Sequence, residues 1–259
     1  MSETTPAAGR WFAASAAAAT LVLLVSLLSR GSPGGSSCRG ALMPAYVPPH
    51  ELLELLDRPE LPRLIVVNPA NGPGERLERS YRSAVRAAQR AGVRVLGYVA
   101  TGYGARSAAE VERDIDRYAS WYHVDGVFLD EAASGAEQLP HYRALAAHAR
   151  GAERRLVVLN PGTVPSRGYF GVADIIVTFE GAYTDYRPAL DSMPGWLGRM
   201  APERVAHLIY GADSDRALIA VREARGAGYV YATPGVQPNP WRTLPPSREH
   251  DRELRALCG

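Results

Sequence analysis

Three acidic residues stand where strand-like runs end: Asp130 and Glu131 close DGVFLDE at 125–131, and Glu180 closes ADIIVTFE at 173–180. Side chains alternate along a strand, so if Val127 and Leu129 face one way, Phe128 and Asp130 face the other. The same rule puts Ile175, Val177 and Phe179 on one side and Thr178 and Glu180 on the opposite one. If both runs belong to one sheet two strands apart, inward-leaning side chains bring the two carboxyls to roughly 5 to 8 Å. That separation suits hydrolysis of a glycosidic bond, which needs one carboxyl protonated for the leaving oxygen and one ionised toward the oxocarbenium centre. Glu180, next to Phe179, is the candidate acid with a raised pKa, and Asp130 the candidate nucleophile or stabiliser. Glu131 follows Asp130 directly, so it reaches the same place only if the chain has already turned out of the strand; there it could bind a ring amine. Either acid alone reads equally well as a cap or a solvated strand end. The pair in register points to function.

Applied to every strand-like run, the alternation yields a polar or aromatic rim of Tyr46, Asn68, Tyr98, Asp130, Asn160, Glu180, and Tyr231 or Thr233. Tyr98, Tyr103 and Trp121 offer faces on which sugars stack, although Trp121, at the end of a helical pattern, reads better as core. Asn68 and Asn160 suit hydroxyl binding, yet each precedes Pro and so reads equally as a turn residue. Other chemistries find little support. The six His form no HExxH, and His141 and His148 lie seven apart on a helical pattern, so no metal is implied. There is no GxSxG, and GYGARS at 102–107 lacks the third Gly of a dinucleotide turn, so no cofactor is expected. A net charge of +2, with every basic residue an Arg and no long run of one sign, argues against nucleic acid as a partner.

The elements that must hold this rim are regular. Eight apolar runs of strand length begin at 41, 64, 93, 125, 155, 173, 205 and 228. Helix-like stretches alternate with them at 78–92, 108–122, 141–151 and 214–228, and in the second of these Val111, Ile115, Tyr118 and Tyr122 form one apolar face. Strands apolar on both faces, alternating with helices, predict parallel βα units. Eight units predict a single (β/α)8 barrel over 41–259, with the chemistry on the loops at the carboxyl ends of the strands.

Residues 11–28 hold no charge and lie between Arg10 and Arg30, which reads as a signal peptide or membrane anchor (1–30) with the folded body outside the cell. At about 1.5 Å per residue the run spans roughly 27 Å, slightly less than a ~30 Å hydrocarbon core. GSPGGSS at 31–37 belongs to a flexible linker (31–40). Cys38 precedes the first strand and Cys258 ends the last helix, so both fall at the amino-terminal face of a barrel. A disulfide there would close a loop worth about 5 kcal/mol in the chain-entropy account.

The runs VNPANGPG at 67–74, VLGYVATGYGAR at 95–106 and DIDRYASWYHVDGVFLDE at 114–131, with TFEG at 178–181 and the late GYVYAT, together resemble the spherulin 4 (spherulation-specific family 4) domain across about 41–236. That family is related to secreted endo-acting α-1,4-galactosaminidases, including glycoside hydrolase family 135. Those are TIM barrels that cut galactosaminogalactan-type polymers. Their Asp-Glu pair after the fourth strand matches Asp130 and Glu131, and their later Glu matches Glu180. The resemblance implies a secreted or surface-anchored hydrolase of an amino-sugar polysaccharide, and a monomer is expected. Many spherulin 4 domains have no known substrate, so a non-catalytic glycan-binding surface or spore-coat protein is the alternative, and a lyase or deacetylase of the same polymer a third.

Overall fold

In a computed structural model, the structure describes residues 38–151 and 155–258. Eight strands run in sequence order through one parallel sheet. They are β1 (Leu42–Ala45), β2 (Leu64–Val67), β3 (Arg94–Ala100), β4 (Gly126–Asp130), β5 (Leu156–Leu159), β6 (Ile175–Ala182), β7 (Val205–Tyr210) and β8 (Tyr229–Ala232). The helices are α1 (Pro49–Leu56), α2 (Arg79–Arg90), α3 (Ala108–Arg117), α4 (Leu139–Arg150), α5 (Tyr183–Ser192), α6 (Ser214–Glu223) and α7 (Ser247–Ala256). The ring between β8 and β1 is nearly closed, by a parallel bridge at Gly40 and Tyr229 in place of a full ladder.

The architecture follows from burial on both strand faces. In β1, β2 and the first four residues of β4 no residue is exposed, because one face packs inside the barrel and the other under the helices. Val111, Ile115, Tyr118 and Tyr122 are all buried, as their spacing demands. Tyr118 lies flat over Gly97 of β3, where a Cβ would stand 2.3 Å from the ring, so only glycine fits that strand position.

Two expectations need correction. The unit between β5 and β6 has no α-helix; a 3-10 turn at Arg167–Gly171 bridges the strands. Its run SRGYFG lacks the length for a second helical turn on one face. Strict alternation also fails in β6, where the register against β7 shifts between Val177 and Phe179. Thr178 Oγ1 lies 3.1 Å from His207 Nε2, and Phe179 packs on Tyr186 of α5 with ring centroids 4.9 Å apart, so two successive side chains face the helix layer. Thr178 therefore points away from the interior that alternation assigned it, while Glu180, past the bulge, still turns inward.

Cys38 and Cys258 are joined as a disulfide, 220 residues apart in sequence. Beside it the Arg39 N–H donates to Leu257 O (3.0 Å). The apolar segment and most of the linker lie outside the described residues. Among the described residues, no helix is long and apolar enough to cross a membrane.

Candidate active site

A cleft of about 570 Å³ opens at the carboxyl ends of the strands. Asp130, the last residue of β4, and Glu180 of β6 meet there through one amide. Asn160, which follows β5 and is 5% exposed, donates from Nδ2 to Asp130 Oδ1 (2.6 Å) and to Glu180 Oε2. Register explains the meeting. Leu129 pairs with Leu159, and the Asn160 N–H bonds Leu129 O at 2.9 Å, which sets Asn160 beside Asp130. The Glu180 N–H bonds Gly162 O at 3.0 Å, bringing the third residue to the same level. Two oxygens that accept from one nitrogen lie no more than about 5 to 6 Å apart.

Glu131 also lines the cleft, because the chain leaves the strand at this residue: its φ is 50°, a left-handed conformation that costs a non-glycine residue energy. The turn is held firmly. The Tyr103 N–H donates to Glu131 O (2.6 Å) and the Thr101 N–H to Asp130 O (2.9 Å). The buried Thr101 hydroxyl sits 2.7 Å from the Tyr142 hydroxyl, which in turn accepts from the Ala133 N–H at 2.9 Å.

The environment drives the two facing carboxyls apart chemically. Burial, reinforced by the charge of Asp130, pushes Glu180 up to about 7, against hydrogen bonds from Asn160 and Trp241. Asp130 is also raised by burial, but hydrogen bonds from Tyr98 and Asn160 favour its ionised form. The Tyr98 phenol is raised in turn, by burial first and then by Asp130, which keeps it a donor. Tyr46, edge-on to Tyr98 at 5.4 Å, is raised by burial and by both carboxylates.

Of the expected rim, Tyr46, Asn68, Tyr98, Tyr103, Asp130, Glu131, Asn160 and Glu180 all line the cleft. Two of these have other duties than hydroxyl binding. Asn160 commits its amide to the carboxylates, and Asn68 Oδ1 accepts from the Gly72 N–H (2.7 Å), closing the β2 loop as a turn residue. Tyr103 is 65% exposed and free to offer its ring. Tyr231 does not line the cleft; it is buried and packs on the Trp241 indole, centroids 6.0 Å apart. Trp121 is also elsewhere, half-buried past the end of α3 with the Arg117 guanidinium 5.3 Å from its ring centroid.

Trp241 was not foreseen. It sits in the segment after β8, donates from Nε1 to Glu180 Oε1 (3.3 Å), and its carbonyl accepts from the Tyr46 N–H (3.1 Å). The available signal was the run QPNPW at 237–241, an aromatic closing a Pro-rich loop at the carboxyl end of the last strand. Among the described residues, no Arg or His lines this cleft. Among the described residues, no group of three or more His, Cys, Asp or Glu could hold a metal ion.

The spherulation-specific family 4 profile matches residues 41–250. Spherulin-4 of Physarum polycephalum is 30% identical over 185 residues, covering 66% of this chain and 55% of that protein, so the chain spans about half the length of this curated relative. The crystal structure of Aspergillus clavatus Sph3 in complex with GalNAc superposes with a TM-score of 0.72 at 25% identity, covering 86% of this chain and 98% of that one. A putative alpha-galactosidase from Bacteroides fragilis shares the fold at a TM-score of 0.52 and 11% identity, over 85% of this chain and 60% of its own. With the profile spanning nearly the whole barrel, the chain belongs to the spherulation-specific family 4.

Proposed function

We propose that this protein is a glycoside hydrolase of an amino-sugar polysaccharide, of the α-1,4-galactosaminidase type. The observation that carries the reading is the pair Asp130 and Glu180 held on one Asn160 amide, with Glu180 raised to about 7. The GalNAc bound to the related Sph3 supports the sugar class. Three carboxyls and, among the described residues, no cation around the cleft suit a substrate that carries amines.

The chemistry divides as follows. Protonated Glu180 donates to the glycosidic oxygen as the bond from that oxygen to the anomeric carbon breaks. Ionised Asp130 forms the bond to the anomeric carbon, and the shortened sugar leaves with the proton from Glu180. Water then adds to the anomeric carbon, gives its proton to Glu180, and releases Asp130 as carboxylate. The short span set by the shared amide supports this double displacement with retention, since inverting pairs stand about 6.5 to 9.5 Å apart. Trp241 and Asn160 hold Glu180, while Tyr98 and Asn160 hold Asp130.

Export to an oxidising compartment, through the apolar segment at 11–28, is part of the proposal, and the Cys38–Cys258 disulfide supports it. The test is an assay of partly deacetylated α-1,4-galactosaminoglycan for new reducing ends. Wild type should release them, and Asp130→Asn and Glu180→Gln should each abolish release without moving thermal unfolding downward. Acetate or unsaturated ends would indicate a deacetylase or lyase instead. Glycan bound without any cleavage would indicate a binding protein.

A further inference from the structure

The geometry points to a second sugar subsite, outside the carboxylate cleft, over the loops that follow β1 and β2. It would take an uncharged hexosamine residue of the same chain, such as an N-acetylated unit. This rests on the reading of the main cleft as a glycan site. A depression of about 450 Å³ adjoins that cleft and shares Tyr46, Asn68, Asn71 and Asn239 with it. Glu51, Tyr81 and Arg242 are among its other walls. A further depression of about 610 Å³ continues from it across Pro69 and Tyr81. A polymer seated on Asp130 and Glu180 therefore has a continuous path across this side of the barrel.

The walls are fixed, which a subsite requires if it is to add affinity without losing it to ordering. The Tyr81 hydroxyl donates to Val47 O (3.0 Å), tying α2 to the β1 loop. The Tyr46 N–H donates to Trp241 O (3.1 Å), which fixes the subsite relative to Trp241 and so to Glu180. Asn68 closes the β2 loop on Gly72, and Asn71 holds a φ of 52° at its tip.

The charges set the class of sugar. Among the described residues the main cleft has three carboxyls and no cation, whereas here one acid, Glu51, is matched by one guanidinium, Arg242. Among the described residues no ion pair or side-chain hydrogen bond engages Arg242, so its five donors are free for hydroxyls and an acetamido carbonyl. A sugar amine is drawn to Glu51 as much as it is repelled by Arg242 and so gains no net attraction, whereas an uncharged unit uses the free donors of Arg242.

The test uses full-length Glu180→Gln protein and α-1,4-linked N-acetylgalactosamine oligomers of one to eight residues, with binding measured by calorimetry. Affinity should rise at least tenfold between short and long oligomers. Adding Glu51→Ala, at a half-buried position, and Arg242→Ala, at an exposed one, should remove that rise and leave binding of the shortest ligands unchanged. Equal affinity at all lengths, or a rise that survives the double substitution, would overturn the subsite. A gain when the distal units are deacetylated would overturn the neutral class. In wild type the double substitution should lower kcat/KM about tenfold on long oligomers only. Length-dependent binding without any release of reducing ends from wild type would defeat the hydrolase reading and leave the subsite standing.

Discussion

Replacing Glu253 with Gln should remove a large pH dependence from the stability of the barrel. Glu253 lies on α7, is 3% exposed, and its Oε1 accepts from the Ala232 N–H (2.7 Å) at the end of β8. The position is the seam of the ring. The Val230 N–H is met by Gly40 O of the bridge, and two residues on, the next N–H of β8 to face β1 is met by this side chain. Burial pushes the carboxyl up to about 8, against the hydrogen bond from Ala232. In the unfolded chain it returns to about 4.3. Between those values the folded state holds a proton that the unfolded state has released, so stability is full below about pH 4 and falls as pH rises toward 8. One linked proton costs about 1.4 kcal/mol per pH unit, hence roughly 5 kcal/mol across the window. Gln keeps a carbonyl oxygen for Ala232 and cannot ionise. Urea unfolding of both proteins at pH 4, 5, 6, 7 and 8 should show the difference between them shift in favour of Gln by about 1 kcal/mol per pH unit above pH 5, reaching several kcal/mol by pH 8. Glu180 and His250 titrate in both proteins and cancel in the difference. Parallel stability curves, or a Gln variant weaker at pH 8, would refute the reasoning.

The activity should have an alkaline limb near pH 7, where Glu180 loses the proton it must donate, and an acid limb where Asp130, itself raised, becomes protonated; a kcat/KM profile against pH checks both. Trp241→Phe removes a hydrogen bond that favours ionised Glu180, so the alkaline limb should move up by roughly half a unit to one unit, and an unmoved limb would deny the contact its role. Gly97→Ala forces a methyl against the Tyr118 ring and should cost about 1 to 3 kcal/mol in chemical denaturation. Cutting the Cys38–Cys258 bond by reduction should lower stability by up to about 5 kcal/mol without loss of specific activity, since the disulfide lies at the end of the barrel opposite the cleft.

The alternation of apolar strands and amphipathic helices was readable because both periods are local: each residue's burial depends on its own element's position between interior and helix layer. For the same reason Asp130 and Glu180 could be placed, and with them Tyr46, Tyr98 and Asn160. The reading of Glu180 reached the right face although alternation fails at Thr178, since a bulge inserts a residue that no sequence period records. The missing helix between β5 and β6 shows the converse: strand spacing counts units, but a short 3-10 turn spans the gap as well as a helix does.

The composition of the chain and its periodicity alone determined eight parallel units, the end of the barrel that bears the candidate cleft, and which acids stand there. Tertiary structure decided the rest, because those features arise between residues far apart in the chain. Glu131 enters the cleft only because distant Thr101, Tyr103 and Tyr142 hold its left-handed turn. Trp241 reaches Glu180 across 61 positions from a loop without any period, and Tyr231 is buried beneath the same indole. The division of labour between the two carboxyls belongs to that level too, since the raised Glu180 comes from burial and from the nearness of Asp130, and neither exists until the ring has formed.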